Sequence, residues 1–280
     1  DALSEGNEVL AGPKTSKETA QNAVITTDPA NVNDKADVNE KGTRHLEAEA
    51  QLKTNAGLEK LMLDKLSPEA RKQYEDLKAS LSPDAVAQLS LQMLLFSYKL
   101  AGKKSLVGGE TVLQGLSNLS GQKLAEGIDR KQLMSDLVQE LACPSAINQS
   151  DRGTCAATVV AIDLLMSNPA EYVRLVRGLA TPEGSVKTAS GTVARREAGT
   201  EVEDGTRRSI SQRLLAPAFM EIANGKWDYD NKDDSHHNGN KIEGSGLSAH
   251  QVDVLLEAVF GKDFAFSQNI DKASDKKKEA

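Results

Sequence analysis

Aromatic side chains are scarce in this chain, with five Phe, four Tyr and one Trp among 280 residues. Hydrophobic residues of all kinds reach 39%, below the globular norm, so an ordered core has to be concentrated in part of the sequence. Cysteine is nearly absent. Cys143 and Cys155 are the only two, too few for a disulfide framework in a chain of this length. Twelve residues of separation would allow one bridge, although the ordinary fate of such a pair is burial as small apolar side chains. Positive charge is in deficit. A net charge of −7 leaves no basic face to displace phosphate counterions, which argues against a nucleic-acid partner. No run of about 18 apolar residues occurs, so no membrane-spanning helix is expected. No secretory signal is read at the start. Asp1 in place of an initiator methionine reads as a processed or trimmed chain, which together with the acidic balance favours an exported or secreted protein.

What is present is mostly helical pattern. Residues 1–45 are polar, carry no sustained apolar period and read as a disordered leader. From His45 onward Leu58, Leu61, Met62 and Leu66 recur at steps of three and four, the period of a helix. Ser67-Pro68-Glu69 opens a second helix with a capping serine, a first-turn proline and an acid at the positive end of the dipole. Ser82-Pro83-Asp84 repeats the device, and its helix, expected to stop near Gly102, is apolar enough to be the centre of a bundle. Shorter helices follow at about 110–118 and 130–142. Residues 46–142 therefore read as a helical domain of short antiparallel neighbours.

A second module, 143–270, starts at Cys143-Pro144. A strongly apolar helix runs from Cys155 to Asn168, and Pro169 opens the next one. Residues 184–188 and 192–194 flank a turn, which predicts a short hairpin. A helix over 210–223 holds Pro217 as a kink or break. Residues 225–246, rich in Asp, Asn, Lys, His and Gly, read as a long loop. Ser248 then caps a helix that Gly261 ends. Residues 271–280 form a charged tail.

The most informative segment is Gln149-Ser150-Asp151-Arg152-Gly153-Thr154-Cys155-Ala156-Ala157. Cysteine falls at the start of an apolar helix, where unpaired backbone N–H groups and about half a positive charge favour thiolate over thiol. Gly153 permits a tight turn before it, and Ala156 and Ala157 leave room for a substrate backbone. The Cys155 N–H and the Gln149 carboxamide are candidate donors to a developing oxyanion. On these residues the chain resembles the papain-like cysteine peptidases, in which a glutamine six residues before the nucleophile contributes to the oxyanion hole and the cysteine opens a long helix. Arg152-Gly153-Thr154-Cys155-Ala156 is similar to the family's Cys-Gly-Ser-Cys-Trp. Arg152, Thr154 and Ala156 depart from it, and the likeness covers residues 147–181.

The resemblance implies a thiol nucleophile, Cys155, with Gln149 at the oxyanion, and a histidine base held by Asn or Asp. No histidine stands 130–150 residues downstream, because the given sequence stops at Ala280. His250 is the candidate base. His236 and His237 lie in the expected loop, and His45 at the edge of the leader. The fold expectation is mainly α (α+β): a helical domain followed by a papain-like helical lobe with a short β-hairpin, its β lobe incomplete or missing. The expected activity is a cysteine peptidase or related thiol acyl-transfer enzyme acting on a peptide or protein substrate. Its base would come from His250, from a C-terminal β lobe or from a partner chain. The alternative is a non-enzymatic helical interaction protein.

Other patterns point to no cofactor and no metal site. Counted from Asp228, the acidic stretch puts Asp233 where a calcium loop needs glycine and Gly239 where it needs glutamate. Gly244-Ser245-Gly246 has no strand before it to make a dinucleotide site. Arg195-Arg196 and Arg207-Arg208 read as exposed basic pairs.

Overall fold

The computed structural model describes residues 34–263, with side chains from residue 41. The expected tail, 271–280, and the first 33 residues of the expected leader lie outside the described residues. The chain divides into two units, Asp1–Thr43 and Arg44–Ala280. In the first, the described residues are helical; α1 spans Asp34–Leu63, so the last part of the expected leader is helix. The second unit holds the core. The chain is mainly α with two small antiparallel sheets, an α+β arrangement.

Local signals set most boundaries. Helix α2 (Pro68–Ser80) begins at Ser67, whose hydroxyl accepts from the Ala70 N–H at 3.2 Å. Helix α3 (Ala85–Phe96) is capped by the Asp84 carboxylate, which accepts from the N–H groups of Val86 and Ala87. It stops at Phe96, before the expected Gly102, and Tyr98 follows at φ 58°. Helices α4 (Val112–Gly121) and α5 (Arg130–Ala142) complete the first group, α4 behind a Thr111–Gln114 capping box. Glu59 of α1 ties three of these helices together, accepting from Tyr74 Oη at 2.7 Å, Lys78 Nζ at 2.6 Å and Gln92 Nε2 at 3.1 Å. The apolar stripe expected on α1 is only partly buried, because Met62 is inside while Leu58 and Leu61 face solvent.

Helix α6 (Cys155–Ser167) and helix α7 (Pro169–Leu179) meet at Asn168, which caps α7 through Glu171 N–H. Strands β1 (Ser185–Lys187) and β2 (Val193–Arg195) form the expected hairpin. Helix α8 (Ile210–Asn224) is buried at every position from Ile210 to Met220 and packs against α5, α6, α7, β2 and the next helix, α9 (Ala249–Phe260). It, rather than α3, is the central helix. Pro217 sits inside it without ending it. Helix α9 has a Ser248–Gln251 capping box and ends at Gly261, left-handed at φ 64°.

One hydrophobic cluster runs from Met62 to Val259, so the segments on either side of residue 142 share a core. Within it Glu140 of α5 is 2% exposed and takes hydrogen bonds from Tyr172, Ser209 and Ser211. Burial pushes its carboxyl up to about 7 against those three hydroxyl donors.

Residues 225–246 are not a loop. They fold into a three-stranded antiparallel sheet of β3 (Asp228–Asp230), β4 (Ser235–Asn238) and β5 (Lys241–Gly244), with Tyr229 opposite His236 and His236 opposite Glu243. Polar composition hid the sheet. Only Tyr229 on β3 and Ser235 and His236 on β4 are buried, a signal too short to stand out among charged neighbours.

Candidate functional site

Cys155 is the first residue of α6 and its side chain is exposed. Cys143, the C-cap of α5, is exposed as well, and both thiols are free, so the pair is neither bridged nor buried. Thr154 precedes Cys155 at the cap position, but its hydroxyl makes no capping hydrogen bond. The start of α6 is therefore left without a side-chain cap.

Gln149 is held within its own loop. Its Nε2 donates to the Arg152 carbonyl at 3.2 Å, closing the loop on itself. The Ser150 N–H donates to Asn148 Oδ1 at 2.8 Å, and Ser150 takes φ 59° in the same turn. His250 is not brought to Cys155. It is exposed in the first turn of α9, whereas Val252 and Leu256 of that helix face α6. Residues two apart on a helix point about 200° apart, so His250 lies on the opposite side from Val252. No histidine among the described residues hydrogen-bonds Cys155. His45 contacts Asp84 and Glu49, and His237 bonds Ser235 and Asp233.

The structure adds a feature that spacing did not reveal. The β3–β4–β5 sheet clamps the loop before Cys155. The Gly153 N–H donates to Asp234 Oδ2 at 2.7 Å, and the Tyr229 hydroxyl donates to Asp234 Oδ1 at 2.8 Å. His236, expected in a solvated loop, is 4% exposed; its ring lies 5.5 Å from that of Tyr229, and its Nε2 approaches the Ser245 carbonyl at 3.2 Å. A Cβ on Gly153 would sit 1.7 Å from Ser245 Oγ and 2.8 Å from Ser245 Cβ, so only glycine fits this contact without movement. Arg152 adds a hydrogen bond to the Lys232 carbonyl at 3.3 Å. Gly153 was legible as a turn residue, but its partners lie about 80 residues away in sequence.

A second network holds the same region. Arg208, expected to be exposed, is buried and bonds both Asp204 and Asn231. Burial alone would raise the Asp204 carboxyl, but hydrogen bonds from Thr206 and Arg208 hold it well below the usual carboxylate range. Arg196 is likewise engaged, donating to the carbonyls of Leu179 and Thr181 at 2.7 Å.

Beside the thiol lies a cleft of about 380 Å3 between α6 and α9. Ala156, Val159, Val160, Val252 and Leu256 make it apolar, Asp163 is its one charged group, and Cys155 stands at its wall. Val159 is 63% exposed and Met166, further along α6, 68%. Another cleft, of about 300 Å3, includes Arg174 and Arg177, but these pair with Glu171 and Glu110 and it shares no residue with the cysteine site. No helix among the described residues is long and apolar enough to cross a membrane. The chain matches no protein-family model, no curated protein and no solved structure.

Proposed function

We propose that this chain carries the nucleophile-bearing helical part of a cysteine peptidase or related thiol acyl-transfer enzyme, with Cys155 as the attacking group. The observation that carries this reading is the exposed thiol at the first residue of α6, at the wall of an apolar cleft. Backbone amides at a helix start are unpaired donors already oriented for an oxyanion. In the reaction Cys155 Sγ bonds to the carbonyl carbon of a peptide or amide, and the carbonyl π pair moves to oxygen, facing the Cys155 N–H. Collapse expels the amine, which takes a proton from the general acid, and water then releases the acyl group from sulfur. Gln149 joins the oxyanion site by exchanging its 3.2 Å hydrogen bond to Arg152 for one to substrate. The histidine base comes from a C-terminal β lobe or a partner chain rather than from His250, which is exposed in the first turn of α9.

Limiting iodoacetamide applied to the folded protein near neutral pH tests this. Both thiols are exposed, so access alone gives equal labelling. An activated Cys155 reacts about tenfold or more faster than Cys143. Equal rates, or slower reaction at Cys155, overturn the proposal. The second reading, a non-enzymatic helical interaction protein, is favoured by Gln149 being turned to Arg152 and by the exposed apolar residues of α6. Equal labelling together with partner binding lost on Val159→Asp supports that reading.

A further inference from the structure

The cleft of about 300 Å3 that holds Arg174 and Arg177 lies between α7, the loop before α4, the end of α4 and β1, with Val107, Gln122 and Val186 on its walls. Arg174 is 9% exposed, and two of its three nitrogens are fixed inside the protein. Nε donates to Glu171 Oε2 at 2.9 Å, and Nη2 donates to Glu171 Oε1 and to the Lys187 carbonyl, both at 2.6 Å. The buried Glu171 carboxylate also accepts from the N–H groups of Leu106 and Val107, at 2.9 and 3.3 Å. With the two bonds from Arg174, its lone pairs are filled.

Nη1 of Arg174 is left over. Among the described residues no group accepts a hydrogen bond from it. It is not one of the buried unpartnered atoms, so it reaches solvent where Arg174 lines the cleft. A guanidinium clamped along one edge, with the two N–H groups of Nη1 open to a cavity, is a donor held ready for an acceptor.

Arg177 repeats the arrangement independently. It follows Arg174 by three residues, the spacing that puts both on one face of α7. Its Nη2 lies 2.7 Å from Glu110 Oε2, while its Nε and Nη1 make no hydrogen bond among the described residues and are not buried. Charge and shape then select the guest. Each arginine is balanced by a glutamate, so the cleft offers two charge-bearing donors without a surplus of positive charge, which suits a monoanion better than a phosphate dianion. Val107 and Val186 offer aliphatic contact.

We infer that this cleft binds a small organic acid, with its carboxylate on Arg174 Nη1 and Arg177 and its apolar body against Val107 and Val186. Glu171 is a positioning residue that presents the free edge of Arg174. The site shares no residue with the cleft beside Cys155 and stands whether or not Cys155 is a nucleophile.

Titration of the 15N-labelled protein with isovalerate tests this, at an ionic strength held constant with chloride. The Arg174 Nε–H and the amides of Gly108 and Gly178, both lining residues, shift saturably with a dissociation constant of about 1 mM or tighter. Isovaleramide, of the same shape without the charge, binds about tenfold or more weakly, and so does inorganic phosphate. Arg174→Lys keeps a cation for Glu171 but has no second nitrogen for the cleft, and it abolishes the saturable shift of the two glycine amides. Arg177→Gln, at a half-buried position, weakens isovalerate by about tenfold and decides the matter if Arg174→Lys fails to fold. No saturable shift, or full affinity in Arg177→Gln, overturns the site. Equal binding of isovaleramide overturns the carboxylate, and equal binding of phosphate overturns the organic acid.

Discussion

Gly153→Ala sets local backbone preference directly against tertiary contact. Gly153 does not adopt a positive φ, so alanine is conformationally acceptable there. In an open position the change would stabilise by about 0.4–1 kcal/mol, by restricting the unfolded chain. Here the new methyl meets Ser245, with Oγ at 1.7 Å and Cβ at 2.8 Å, and Asp234 Oδ2 at 3.3 Å. The hydroxyl can rotate away, but Ser245 Cβ moves only with the backbone that carries the carbonyl beside His236. Overpacking of this kind costs about 1–3 kcal/mol. If the loop shifts instead, the 2.7 Å bond from the Gly153 N–H to the Asp234 carboxylate is strained, a class of interaction with a net contribution of about 1.5–3 kcal/mol. The two responses are alternatives, so the expected net loss is about 2 kcal/mol, opposite in sign to the local expectation. Ser245→Gly removes both clashing atoms and keeps the carbonyl next to His236. Gly153→Ala with Ser245→Gly should therefore recover about 1–2 kcal/mol relative to Gly153→Ala alone, a coupling measurable in a double-mutant cycle by urea unfolding. A Gly153→Ala variant as stable as the parent, or a deficit that Ser245→Gly leaves intact, would refute the clamp.

Glu140→Gln addresses the buried acid between α5, α7 and α8. A carboxyl raised from an ordinary 4.5 to about 7 binds its proton more tightly in the folded state, so its contribution is full below about pH 4.5 and is lost as pH rises to about 7. At about 1.4 kcal/mol per unit, this is roughly 3 kcal/mol of the decline in stability over that window. Urea unfolding at pH 5 and pH 7.5 should show that part of the slope removed in Glu140→Gln; an unchanged slope counts against a neutral Glu140. Asp204 works in the opposite direction: depressed when folded, it stabilises at neutral pH, and its contribution disappears as pH falls below the usual carboxylate range. Asp204→Asn leaves the buried Arg208 guanidinium with only the neutral partners Asn231 and Thr206 and should cost about 2–4 kcal/mol at pH 7, read as a fall in urea midpoint; a loss under 0.5 kcal/mol, the scale of an ordinary surface change, would contradict the assigned network.

The sequence by itself determined where most helices begin. Ser67, Asp84, Thr111, Asp129, Asn168, Ser209 and Ser248 each cap the helix that follows, because capping depends on side chains within three residues of the groups they satisfy. It also placed Cys155 at a helix start, a matter of local pattern alone. Tertiary structure decided what these elements meet. The sheet over 228–244 emerged from polar composition because its inward residues, Tyr229 and His236, gain their value from packing against each other. Asp234 at Gly153, Arg208 in the core, Gln149 turned to Arg152 and His250 directed away from the cleft are all outcomes of docking.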